Sequence, residues 1–198
     1  MSAQFSLDGF EAAPRASDRL FFAVYPDSSA AANIARLAQQ LRAEHGLKGE
    51  PLKTERFHIT LHHLGDYAGL PQGVVAASSE AAAAVAAGAF DVAFDRVVSF
   101  AGKPGKRPFV LRGGEGLDAL VAFQQTLGAA MKKTSVGRWA EPRFTPHVTL
   151  LYDGKELAER GVDAVSWTVR EFVLVHSLIG QTRHIVLGRW PLKTPAQG

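Results

Sequence analysis

The chain has 198 residues, 46% of them hydrophobic and 21% charged, a balance that suits one globular domain and excludes an intrinsically disordered chain. It holds no cysteine, which excludes disulfides and thiolate zinc sites and suits a reducing cytoplasm, where the protein is expected. No run reaches the roughly 18 apolar residues of a membrane span, no basic segment ahead of an apolar run marks a secretory signal, and the net charge is only +3.

Residues 1–17 mix Ser, Ala, Gly and Pro without periodicity and read as a flexible leader. Arg19 to Tyr25 reads as a strand, with the apolar run Leu20-Phe21-Phe22-Ala23-Val24 suited to a central place in a sheet. Asp27 or Ser28 can cap a helix whose apolar face is Ile34, Leu37, Ala38 and Leu41 and whose stop is Gly46. A polar loop with Lys48, Lys53 and Arg56 leads to a strand at Phe57–Leu61, broken by Gly65 and Gly69. A second helix is predicted from Pro71 to Ala87, ended by Gly88. Strands follow at Phe90–Val98 and Arg107–Arg112, joined by a hairpin over Gly102–Gly105. Leu117, Leu120, Val121, Leu127 and Met131 mark a third helix, and a loop with Trp139, Pro142, Arg143 and Pro146 enters another strand at His147–Leu150. Two final strands, near Ser166–Leu178 and His184–Trp190, end a domain expected over 18–192, with a tail at 193–198. The order implies an α+β protein of two similar lobes, each giving one strand to a shared cleft.

Those two strands carry near copies of one motif, His58-Ile59-Thr60-Leu61 and His147-Val148-Thr149-Leu150. Seven His and nine Thr predict about 0.3 His-x-Thr triplets by chance, so two copies, both followed by Leu, are hard to dismiss. Side chains alternate along a strand, so His58 and Thr60 share one face, as do His147 and Thr149, while Ile59, Leu61, Val148 and Leu150 anchor the other. In-line cleavage of a phosphodiester needs a base for the nucleophile and an acid for the leaving oxygen. Histidine serves both, because its ordinary pKa of about 6.5 lies near working pH. Threonine hydroxyls and a cation such as Arg143 would hold the equatorial oxygens, with no metal and no cofactor required. Residues 101–146 carry eight basic and three acidic side chains, which favours an anionic ligand such as a nucleotide or an RNA end.

The paired motifs resemble the signatures of the 2H phosphoesterase superfamily, and most of all its bacterial RNA 2′,3′-cyclic phosphodiesterases, historically called 2′-5′ RNA ligases. The opening Arg19-Leu20-Phe21-Phe22-Ala23-Val24, the lead-in Phe144-x-Pro146-His147 and the closing Arg189-Trp190-Pro191-Leu192 are also similar, so the resemblance spans residues 18–192. It implies a bilobal fold with pseudo-two-fold symmetry and hydrolysis of a 2′,3′-cyclic phosphate to a 2′-phosphomonoester, with 2′-5′ ligation in some members. It also implies that His58 is the proton donor and His147 the proton acceptor, acting on RNA or a small nucleotide. A monomer without membrane contact is expected.

Other readings compete at single residues. His62 continues the parity of His58 and Thr60 and can face the cleft, which breaks the symmetry of the two motifs. His58, His62 and His63 could suggest a metal site, but no Asp, Glu or Cys accompanies them in that strand. His45, His176 and His184 read as ordinary surface or strand residues. Arg143 either clamps phosphate or pairs with Glu141. Tyr25 and Trp139 could stack on a base, though packing is the simpler role for each. Gly102–Lys106 lacks the spacing of a P-loop and reads as a mobile basic hairpin. A small-nucleotide phosphodiesterase, acting on 2′-5′ oligonucleotides or a cyclic ADP-ribose phosphate, and a non-catalytic RNA- or nucleotide-binding module are the alternative functions.

Overall fold

The computed structural model describes residues 15–193, so most of the leader expected over 1–17 and all but one residue of the tail expected over 193–198 lie outside the described residues. The elements in order are β1 (Asp18–Val24), α1 (Ser28–His45), β2 (Ile59–Tyr67), α2 (Gln72–Ala83), β3 (Phe90–Ser99), β4 (Arg107–Arg112), α3 (Asp118–Met131), β5 (His147–Asp153), β6 (Arg160–Val169), β7 (Glu171–Leu178) and β8 (Arg183–Pro191). Short 3-10 turns at Thr54–Arg56 and Gly137–Trp139 precede the two motif strands. Asp27 caps α1 by accepting from the N–H of Ala30 at 2.8 Å, and Gly46 closes it in the left-handed region, as the sequence predicts.

The strands form two four-stranded antiparallel sheets, ordered β2-β1-β7-β8 and β5-β4-β3-β6. The two motif strands are therefore the edge strands β2 and β5, and these edges lie against each other. α1 crosses the outer face of the second sheet, touching both its edge strands, while α2 lies along α3 and touches β8, and α3 lies against β2 and β3. A single apolar core runs through both sheets, from Phe22, Phe57 and Phe172 to Phe94, Phe109 and Trp167. A smaller cluster, Phe21, Ala23, Val173 and Val175, lies on the opposite face of the first sheet, with Tyr25 and Val186 packed against it. None of the described helices is long and apolar enough to cross a membrane.

Three sequence boundaries move. Gly65 does not break β2 but lies within it at φ +113°, where a Cβ would meet the Tyr67 hydroxyl at 2.8 Å. α2 ends at Ala83 instead of Ala87, because Ala87 and Ala89 exchange backbone hydrogen bonds with Lys193 at 2.9 and 2.8 Å and so cannot continue a helix. The strand predicted at 166–178 is two strands. The chain leaves the second sheet after Val169 and enters the first at Glu171, with Arg170 between them. β6 is an edge strand that alternates buried and exposed residues near its end, β7 is central and nearly all buried, and a single residue separates them, too little for a turn signal to stand out.

The edges are tied together by the loop ahead of β2. Asp153, buried at the end of β5, accepts from the N–H groups of Lys48, Gly49 and Lys155 at 2.6, 2.7 and 2.8 Å. The Leu52 N–H donates to the Leu150 carbonyl at 2.7 Å. Only glycine fits at position 49, since a Cβ there would lie 1.9 Å from the Tyr152 carbonyl oxygen. This loop fixes the start of β2 relative to β5 and hence one motif relative to the other.

Candidate active site

His58 stands one residue ahead of β2 and His147 opens β5. Each ring is held in the same way. Nδ1 of His58 donates to the Arg56 carbonyl at 2.7 Å, and Nδ1 of His147 donates to the Thr145 carbonyl at 2.8 Å, two residues back in both cases. A carbonyl oxygen can only accept, so each Nδ1 carries its proton and each neutral ring keeps its lone pair on Nε2. The aromatic support matches as well. Phe21 stacks on His58 and Phe100 stands edge-on to His147, both at 5.0 Å between centroids.

The strands after the two histidines share a second device. Thr60 lies opposite Ala23 and His62 opposite Phe22, which makes Leu61 an extra, bulged residue. In the other lobe Thr149 lies opposite Val110 and Leu151 opposite Phe109, which makes Leu150 the bulge. Bulges bend and twist an edge strand locally. Here they follow the threonine of each motif, leave both threonines half-buried, and send Leu61 and Leu150 into the core. Among the described residues neither threonine hydroxyl is hydrogen-bonded to protein.

The bulge corrects the sequence expectation for His62. An uninterrupted strand would return it to the face of His58, but the extra residue turns it into the core, where it is 2% exposed and its Nε2 lies 3.0 Å from the Gln124 carbonyl. It occupies the place that Leu151 fills in the other lobe. His63 is exposed and bonds Asp66 at 3.1 Å, so His58, His62 and His63 point to three different surroundings and do not converge on a metal. Among the described residues no three His, Cys, Asp or Glu side chains gather in ligand geometry.

Arg143 is not brought to the pair. Its side chain is 95% exposed and its Nε stands 3.9 Å from Glu141. A cation that does act on the site is Arg56, whose charge reaches His58. Tyr25 stands edge-on to His58 at 6.3 Å, whereas Trp139 stands edge-on to Tyr67 and lies under Arg138. Nothing in the sequence signals His184, expected to be ordinary: its ring stands edge-to-face on His58 at 5.2 Å and on Phe21 at 5.5 Å. It lines a cavity of about 570 Å³ with Tyr25, Arg56, Phe57 and Arg189. His176 is also more than a strand residue, being buried against Asp18 at 2.5 Å across β1 and β7.

Burial lowers the pKa of His58 to about 4, and the charges of Arg56 and His147 push the same way, against the carbonyl at Nδ1. His184 falls to about 4 for related reasons, burial first and then His58 and Arg56. The charge of His147 also reaches His58, more weakly than that of Arg56. Two Nε2 atoms with free lone pairs, each two residues along the chain from an unengaged threonine, form a set of the kind that proton transfer at a phosphate requires.

Comparison with known proteins agrees with this geometry. The sequence model of the 2′-5′ RNA ligase superfamily matches residues 25–180. The structure of E. coli LigT in apo form superposes with a TM-score of 0.66 at 26% identity, over 90% of this chain and 99% of that one. LigT in complex with 3′-AMP gives 0.64 at 26% identity, over 89% and 99%. TT0787 of Thermus thermophilus shares the fold with a TM-score of 0.64 at 21% identity, over 89% and 99%. Among curated proteins no significant match is found. With the family model covering most of the chain and the paired motifs in equivalent places, the chain belongs to the 2′-5′ RNA ligase superfamily of 2H phosphoesterases.

Proposed function

We propose that the protein hydrolyses the 2′,3′-cyclic phosphate of an RNA end or nucleotide to a 2′-phosphomonoester by acid–base catalysis between His58 and His147. The observation that carries this is the matched presentation of the two imidazoles, each with Nδ1 tied to the carbonyl two residues back and Nε2 free. One ring takes a proton from water as its oxygen bonds to phosphorus, and the other gives a proton to the 3′ oxygen as its bond to phosphorus breaks. Thr60 and Thr149 hold the equatorial oxygens, whose charge grows in the transition state. Joining of 2′-5′ ends is the same transfer with a ribose hydroxyl in place of water, so it needs no separate site. The complex of LigT with 3′-AMP supports a nucleotide as the ligand of this cleft.

Turnover of RNA ending in a 2′,3′-cyclic phosphate, with chromatographic identification of the product, tests the proposal. The 2′-phosphate is expected, EDTA should not slow its formation, and His58→Ala and His147→Ala should each lower turnover by ~10²–10⁴-fold. A 3′-phosphate product, or full turnover in either variant, would refute it.

A further inference from the structure

The cavity of about 570 Å³ beside His58 takes no part in the reaction proposed above. Tyr25 and His184 form a wall common to the cavity and the histidine. Each lines the cavity and stands edge-on to the His58 ring, at 6.3 and 5.2 Å between centroids. Arg56, Arg183 and Arg189 line it as well, from the turn ahead of His58 and from β8. Of its two carboxylates, Glu171 is bound by Arg189, and Glu55 is exposed. Arg56 and Arg183 pair with no carboxylate among the described residues. Arg56 is half-buried, and its Nε is enclosed without an acceptor. A guanidinium drawn out of water without a partner is costly, and its retention calls for an anion. The hairpin that delivers Arg183 carries a second sign of function. Thr182 stands at φ +51°, the one non-glycine residue in the left-handed region among the described residues. A β-branched residue adopts that conformation only at a cost, and such strain gathers at ligand sites.

We propose that this cavity is a second phosphate subsite: Arg56 and Arg183 bind the phosphate on the 5′ oxygen of the nucleoside whose 2′,3′-cyclic phosphate meets the histidine pair. This rests on the reaction proposed above and narrows its substrates to ends with a phosphate on both sides of the terminal ribose. The spacing suits such an end. One ribose separates its cyclic phosphate from its 5′ phosphate, and one layer of rings, Tyr25 and His184, separates His58 from the cavity. Tyr25 and Val186, packed on the apolar cluster of the first sheet, give the sugar an apolar wall. Arginine suits the second anion because its planar donors grip two oxygens of one phosphate and its charge persists at every working pH. The 5′ phosphate is the internucleotide diester of an RNA or the monoester of a single nucleotide, and the same two guanidiniums serve either.

Four substrates test the subsite in the full chain: adenosine 2′,3′-cyclic phosphate, the same compound with a 5′ phosphate, the dinucleotide ApA with a cyclic end, and that dinucleotide with an uncharged methylphosphonate link. The charged dinucleotide should exceed its methylphosphonate counterpart in kcat/KM by about 10–100-fold, the effect of one or two charge-assisted hydrogen bonds. Arg183→Gln and Arg56→Gln should each bring that ratio toward one. A ratio near one in the parent, or equal losses on both dinucleotides in both variants, would overturn the proposal. A gain from the 5′ monoester as large as that from the diester would assign the subsite to nucleotides and RNA alike; a gain from the diester alone would assign it to RNA. Calorimetry separates the subsite from the reaction. Adenosine 2′,5′-bisphosphate should bind about 10–100-fold more tightly than adenosine 2′-phosphate, and Arg183→Gln should erase the difference. Equal affinities in the parent would overturn the subsite whatever the turnover. Absence of turnover on every cyclic phosphate, with the calorimetric difference as expected, would refute the proposed reaction and leave the subsite standing.

Discussion

Thr60 and Thr149 are the residues in which placement and chemistry separate most clearly. Both are half-buried on motif strands, and neither hydroxyl is bonded to protein among the described residues. Thr60→Val and Thr149→Val should therefore leave the melting temperature nearly unchanged while lowering kcat by ~10–10³-fold, the loss expected when one donor to a developing oxyanion is removed. A fall in thermal stability comparable to the fall in rate would show that the hydroxyls serve the fold. At this scale the sequence makes the histidines and threonines visible because strand parity and repetition are local properties. His184 is not local: it lies 126 residues after His58 in the numbering and meets it only because β8 joins the same sheet through β7 and β1. Arg143 shows the converse. Proximity in sequence to His147 suggests a clamp, but the side chain extends into solvent beside Glu141.

The motif strands owe their shape to the bulges at Leu61 and Leu150. Each bulge commits two successive residues to the core, Leu61 with His62 in one lobe and Leu150 with Leu151 in the other. His62 is thus a polar residue in an apolar residue's place, and Gln124 accommodates it, its side-chain nitrogen donating to the Leu61 carbonyl at 3.4 Å and the Glu141 carbonyl at 2.8 Å. His62→Leu should keep turnover within about twofold of the parent, while the lost bond to the Gln124 carbonyl lowers stability by about 1–3 kcal/mol. A large loss of activity without unfolding would return His62 to the cleft. A bulge adds one residue without altering composition, so strict alternation fails silently after it, and this is why the sequence points His62 the wrong way. The handover at Arg170 is hidden in a similar manner. One residue, Arg170, separates an alternating edge strand from a nearly all-buried central one, and no Gly, Pro or Asn marks the change of sheet.

Over the whole molecule, the order of elements and the α+β class are legible because helix caps, turn residues and periodicity are written locally. Which strand pairs with which is not. The depressed histidines give the entire fold a pH dependence of definite sign. His58 and His184 titrate near 4 when folded and near 6.5 otherwise, so the unfolded chain binds protons that the folded one refuses. Their contribution to stability is complete above about pH 6.5 and is lost progressively as the pH falls toward 4. Asp66, held near 2 by the Arg19 guanidinium from an ordinary 3.8, extends the loss below pH 4. Denaturant midpoints should therefore drop between pH 7 and pH 5 in the parent protein and drop less in a His184→Phe variant. Equal midpoints at both pH values would contradict the buried, neutral state of these rings.

β1 is bordered by β2 on one side and by β7 on the other, and its pairing with β7 joins Asp18 to Leu178. During synthesis, then, the strand Asp18–Val24 is made among the first and completed among the last, with its apolar edge open until residues 171–178 have left the ribosome. The same late segment and β8 supply the wall behind His58, so assembly of the reactive centre awaits the final strands. A growing chain that stalls before Glu171 carries both histidine motifs and no finished site, together with an unpaired edge of the kind that recruits other chains.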